Sequence, residues 1–164
     1  MKKLTLLITL LLVIGGCSKE VQYGKLQDRD GLKYEVNSQT PFTGSAVVYF
    51  ENGQLRYKEN YKDGKQDGLT EGYYDNFQLK YKRNYKDGKQ DGLSEGYDED
   101  GQLRFKKNYK NGKQDGLYET YYENGQLRFK GNYKDGEEDG LSVHYYGNGQ
   151  LDFKQNYKDG KKID

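Results

Sequence analysis

Basic residues recur in pairs one residue apart: Arg56 and Lys58, Lys80 and Lys82, Arg104 and Lys106, Arg128 and Lys130, then Lys154 alone. In an extended chain, alternate residues share a face, so each pair lies on one side of a strand. Pairs two strands apart lie about 10 Å from each other at roughly 4.8 Å per strand. With Tyr74, Tyr122 and Tyr146 on the same side, such a ladder would grip anionic lipid headgroups, anionic glycan or an acidic protein surface. The plainer expectation is that the cations pair with Glu71, Glu95 and Glu119 and keep the surface soluble. Single-stranded nucleic acid is recognised by the same chemistry; an exported chain makes it an unexpected partner.

Other candidate chemistry is sparse. His144 is the only histidine and stands where the other copies carry Gly72, Gly96 and Thr120, so no recurring site uses it. No Ser-His-Asp set can be built around it. The carboxylates sit in glycine-flanked turns, whereas acid–base work needs a pocket that perturbs them. Asp63-Gly64-Lys65-Gln66-Asp67-Gly68 has a lysine at the third position of a calcium-type loop, where an oxygen ligand belongs. The expectation is a non-enzyme without metal or cofactor.

Each basic pair must be positioned by a repeating element, and the repeat is plain. Gln54-Leu55-Arg56-Tyr57-Lys58 returns at Gln78, Gln102, Gln126 and Gln150, a step of 24 residues without insertion. Gly44, Gly68, Gly92, Gly116 and Gly140 keep the step, as do Tyr49, Tyr73, Tyr97, Tyr121 and Tyr145. Leu79, Tyr81, Arg83 and Tyr85 alternate with Gln78, Lys80, Lys82 and Asn84, the pattern of a half-buried strand. Asn52-Gly53 and its copies supply positive φ for hairpin turns, and Lys86 to Gly92 reads as a longer turn at the other end. Glycines interrupt every dozen residues, which disfavours helix. The expected fold is all-β: an elongated serial hairpin meander of about ten antiparallel strands in one twisted sheet.

Composition agrees. The chain has 164 residues with 22 Gly, 18 Tyr and 6 Phe, and only 32% are hydrophobic. An ordinary thick core is excluded, and so is disorder, because disordered chains are poor in aromatics. The 27 basic and 26 acidic residues nearly cancel, so no global pull toward polyanions exists.

At the N-terminus, Lys2 and Lys3 precede an apolar stretch, Leu4 to Ile14, too short to cross a bilayer as a helix. Ile14-Gly15-Gly16-Cys17 resembles a bacterial lipobox, which implies cleavage before Cys17 and acylation of its thiol. Two or more acyl chains give stable anchoring. Ser18 after the cysteine favours the outer membrane if the source is Gram-negative. The expected organisation is a signal peptide at 1–16, an acylated Cys17 and tether at 17–30, a cap strand at 31–43 and five repeats at 44–164.

The unit seen at Tyr121 to Leu127 and Asn132 to Gly140 resembles the bacterial MORN variant repeat, and Thr40-Pro41-Phe42-Thr43-Gly44 fits how such arrays begin. The resemblance covers about residues 31–164, and the chain is similar to YwqK-family antitoxin components. It implies an all-β hairpin array, and the antitoxin likeness implies a toxin partner. The leading expectation is a membrane-anchored interaction module of the cell envelope with a protein partner. A binder of anionic lipid or glycan and an antitoxin component are the alternatives.

Overall fold

The computed structural model describes residues 19–164; Cys17 and the apolar stretch before it lie outside the described residues. Ten long strands build the array: β4 (Gly44–Tyr49), β5 (Leu55–Lys62), β7 (Gly68–Tyr73), β8 (Leu79–Lys86), β9 (Lys89–Tyr97), β10 (Leu103–Lys110), β11 (Lys113–Tyr121), β12 (Leu127–Lys134), β14 (Gly140–Tyr145) and β15 (Leu151–Lys158). They pair antiparallel in chain order. Short strands β6 (Lys65–Gln66), β13 (Glu137–Glu138) and β16 (Lys161–Ile163) extend the hairpins, and β1 (Glu20–Gln22) closes the first edge by pairing parallel with β4. Strands β2 (Leu26–Arg29) and β3 (Leu32–Glu35) form a separate hairpin.

The two turn types exchange the roles expected of them. At Asp87-Gly88 both residues have positive φ, 49° and 82°, and Lys86 pairs with Lys89 across them. That is a two-residue turn whose twist matches the strands, not a long loop. Gly92, with φ of 97°, then sits inside β9 where the register shifts. The Asn-Gly end is the longer connection: Phe50 N–H donates to Gln54 O at 2.8 Å and Gly53 N–H to Phe50 O at 3.0 Å.

One further irregularity decides what each face carries. Tyr73 pairs with Leu79 and Gly72 with Tyr81, which leaves Lys80 as an extra residue. Equivalent shifts occur at Arg56, Arg104, Arg128 and Asp152. In such a bulge two residues oppose one, and strict alternation breaks. Leu79 therefore falls on the face opposite Tyr81, which corrects the expectation that Leu79, Tyr81, Arg83 and Tyr85 share one side.

The cap begins earlier than the sequence suggested. Glu20 to Gln22, expected in the tether, is a strand, and Val21, Tyr23 and Leu26 pack on a buried cluster of Phe42, Ala46 and Tyr61. This small core under the cap is the one place where two layers meet among the described residues. Farther along, burial comes from rings lying over glycines: a Cβ added to Gly72 or Gly96 would run into the ring of Tyr81 or Phe105.

Candidate ligand-binding face

The expected basic ladder is divided between the two faces. Lys58, Glu71, Lys82, Glu95, Lys106, Glu119 and Lys130 stand side by side in one cross-strand row. Lys82 meets Glu71 at 3.8 Å, Lys106 meets Glu95 at 3.4 Å, Lys130 meets Glu119 at 3.4 Å, and Lys58 reaches Glu20 at 2.8 Å. The row alternates in sign and offers no basic stripe. Opposite charges across a sheet contribute roughly 0.2–1 kcal/mol per pair. In the last copy Val143 takes the glutamate position beside Lys154.

The same glutamates brace tyrosines: Tyr97 Oη donates to Glu95 at 3.1 Å and Tyr121 Oη to Glu119 at 3.0 Å. Burial, then the bond to Glu119, pushes the Tyr121 hydroxyl up to about 12. Burial and Glu138 do the same for Tyr133, also to about 12.

The bulged cations belong to the other face, with the rings. Arg56 lies over Phe50 at 5.7 Å, Lys80 over Tyr74 at 5.0 Å and Arg128 over Tyr122 at 5.8 Å. Arg104 faces Asp98 at 3.7 Å and Glu123 at 3.5 Å instead. In the last copy the partners invert, and Tyr146 leans on Asp152, which raises its hydroxyl above the usual range. Every repeat thus pairs residue n with residue n+6 attractively, by charge or by ring. Tyr74 and Tyr122 are pinned as well: their hydroxyls donate to Tyr97 O at 2.9 Å and Tyr145 O at 2.8 Å in the next repeat.

This arrangement leaves a cleft between successive hairpin tips. One of about 400 Å³ is lined by Phe50, Arg56, Tyr57, Tyr73, Tyr74, Asp75, Lys80 and Tyr81. The next, about 420 Å³, is mostly acidic, lined by Tyr74, Asp98, Glu99, Asp100, Gln102, Arg104 and Glu123. Another of about 410 Å³ lies among Arg104, Tyr122, Glu123 and Arg128. A pocket of about 450 Å³ adjoins the first cleft, sharing Phe50, Arg56 and Asp75 with it and adding Glu51. Beside the clefts, Tyr57, Tyr81, Phe105, Phe129 and Phe153 form a second row, each two strands from the last. Arg83 covers Tyr81 at 4.3 Å, and Lys107 sits near Phe105 at 5.3 Å and Tyr118 at 4.6 Å.

Sequence reasoning thus placed Arg56, Lys80, Arg104, Arg128, Tyr74, Tyr122 and Tyr146 near one another, and wrongly joined Lys58, Lys82, Lys106 and Lys130 to them. It missed Phe50, which lies 24 residues before Tyr74, the signal that would have found it, and it set the Tyr57–Phe153 row on the face opposite Arg56 and Lys80. His144 stacks on Phe153 with centroids 4.1 Å apart and meets Phe129 edge-on at 4.8 Å, continuing the row. The turn carboxylates serve the backbone: Asp67 and Asp91 accept the N–H of Asp87 and Asn111 at 3.2 and 3.0 Å.

Comparisons with known proteins bear on the fold. No curated protein matches the chain. Among solved structures, the crystal structure of the GtfA/B complex bound to UDP and GlcNAc aligns at 15% identity and a TM-score of 0.26. That alignment covers 84% of this chain and 26% of the other, so the chain spans about a quarter of that protein's length. The family model of the MORN repeat variant matches residues 42–63, 90–111, 114–135 and 138–159, more than half of the chain. The copy between the first two matches carries Phe77 where the others have glycine, yet forms the same hairpin. The recurring period, the hairpin geometry and these four matches agree: the chain belongs to the MORN repeat variant family.

Proposed function

We propose that this protein is a non-enzymatic, lipid-anchored interaction module of the cell envelope that binds another protein through the ring-bearing face of its sheet. The observation that supports this most is the line of clefts, where rings stand beside bulged cations at Phe50/Arg56, Tyr74/Lys80 and Tyr122/Arg128. Large half-buried rings beside arginines are the composition of protein contact surfaces. The opposite face carries a neutralised Lys/Glu row, which lowers the case for an anionic-lipid or glycan binder. Anchoring through Cys17 would hold the array near a membrane and confine its partner to that surface.

The test is capture of the acylated chain after in-cell crosslinking, with quantitative mass spectrometry against Cys17→Ala. One dominant protein partner, lost with the anchor, is expected. Lipopolysaccharide or phospholipid co-purifying without a protein partner would overturn the reading. Metabolic labelling with a fatty acid should mark the parent and not Cys17→Ala.

A further inference from the structure

We propose that Asn111 is a site of spontaneous deamidation, promoted by Lys110 and Lys113 on either side of its turn. The two-residue turn recurs as Asp63-Gly64, Asp87-Gly88, Asn111-Gly112, Asp135-Gly136 and Asp159-Gly160, so this copy alone carries the amide. Asn111 holds φ of 50°, and the four aspartates hold 48° to 51°. An aspartate therefore fits this position without a change of backbone. Whatever the ring-bearing face binds, conversion would bring the third turn to the form of the other four.

In the reaction the Gly112 nitrogen attacks Asn111 Cγ and gives its proton to solvent, while the bond from Cγ to the carboxamide nitrogen breaks and ammonia leaves. Water then opens the succinimide at either carbonyl to aspartate or isoaspartate. The sum is amide plus water to carboxylate plus ammonium. Gly112 brings no side chain against the forming ring, and the nearest atom to a Cβ built there is Lys89 Cβ at 3.8 Å. Lys110 and Lys113 pair across the turn and, among the described residues, have no carboxylate at salt-bridge distance. Their charge favours the negative charge that develops on the attacked amide. Like charges directly opposite one another also destabilise a strand pair, and a carboxylate between them offsets that. At Lys62/Lys65, Lys86/Lys89 and Lys158/Lys161 the turn already carries an aspartate.

The other Asn-Gly turns are held differently. Their attacking nitrogens are engaged to the same degree: Gly112 N–H donates to Gln90 O at 2.8 Å, Gly125 N–H to Tyr122 O at 2.9 Å and Gly53 N–H to Phe50 O at 3.0 Å. The carboxamides separate them. Asn124 Nδ2 donates to Gly147 O of the next repeat at 2.6 Å, and its Oδ1 accepts the Gln126 N–H at 3.1 Å. A carboxylate there would face that carbonyl with no proton to donate. Asn52 and Asn148 are tied by both amide atoms within their own turns. Asn111 engages only its backbone N–H, which donates to Asp91 Oδ2 at 3.0 Å. Among the described residues its exposed carboxamide has no hydrogen-bond partner.

The experiment incubates the full acylated chain in detergent, in mildly alkaline buffer made with oxygen-labelled water, and follows each asparagine by peptide mapping and mass spectrometry. Asn111 is expected to convert at least fivefold faster than Asn124, with labelled oxygen taken up in the product. In urea sufficient to unfold the chain that ratio should fall by half or more, because the bonds holding Asn124 are gone. Lys110→Gln with Lys113→Gln should slow Asn111 at least twofold and leave Asn52 unchanged. Circular dichroism would verify that this double variant keeps the sheet. Equal rates at Asn111 and Asn124 in the folded chain, a ratio untouched by urea, or an Asn111 rate indifferent to the lysine substitutions would each overturn the inference.

Discussion

Phe77→Gly should stabilise the protein, because the residue at this position must adopt a left-handed backbone. Gly53, Gly101, Gly125 and Gly149 hold it at φ between 79° and 84°, and Phe77 is at 70°. A side chain in that region costs roughly 1–2 kcal/mol. Glycine relieves the cost but has more freedom to lose from the unfolded chain, roughly 0.4–1 kcal/mol. The ring is 73% exposed, so little packing is lost. The net expectation is a gain of about 0.5–1 kcal/mol, a rise in Tm of about 1–4 °C for an array of this size. Gly125→Ala is the control: its φ is 79°, a Cβ there meets nothing within 4 Å, and it should cost about 1 kcal/mol through backbone alone. Urea titration and thermal melting of the full chain would read both. A fall in stability for Phe77→Gly would refute the reasoning, since it would mean the exposed ring contributes more than the turn geometry costs.

Gly96→Ala places a methyl against the Phe105 ring; an overpacking cost of about 1–3 kcal/mol, partly offset by reduced freedom of the unfolded chain, should lower the urea midpoint. The raised tyrosines make stability fall with alkali: present in full below pH 10, it is lost as pH rises through about 12, the folded value of Tyr121 and Tyr133. After allowance for solvent screening the loss is about 1 kcal/mol, and Tyr121→Phe with Tyr133→Phe should flatten it in melts between pH 9 and 12. Glu95→Gln removes a partner that Lys106 meets at 3.4 Å; it should cost about 0.2–1 kcal/mol in low salt, and 0.5 M NaCl should erase most of the difference.

Much of the fold was legible because one residue pattern is written repeatedly at a fixed step. Strands, turn positions and pairing order follow from alternation and from Asp-Gly and Asn-Gly, which are local features, whereas which turn is the two-residue one was read the wrong way round. The bulge was not legible. Leu79 and Tyr81 are both apolar, so a period of two fits them equally well with or without an extra residue between them. That single shift moved Lys80 to the face opposite Lys82 and broke the ladder into two sets. A clue was present in the paired positions Phe50/Arg56, Tyr74/Lys80, Asp98/Arg104, Tyr122/Arg128 and Tyr146/Asp152, each attractive in its own way. The early start of the cap was hidden for another reason. Strand β1 has one apolar residue, Val21, and is specified by parallel pairing with β4 more than twenty residues away.

The most direct measurement is a site-by-site photocrosslinking scan in living cells. A photoreactive residue is introduced singly at Lys80, Arg104 or Arg128 on the ring-bearing face, and at Lys82, Lys106 or Lys130 on the opposite one. The account expects one dominant protein adduct from the first three positions and little from the second three. Adducts of equal yield from both faces, or lipid adducts alone, would contradict it.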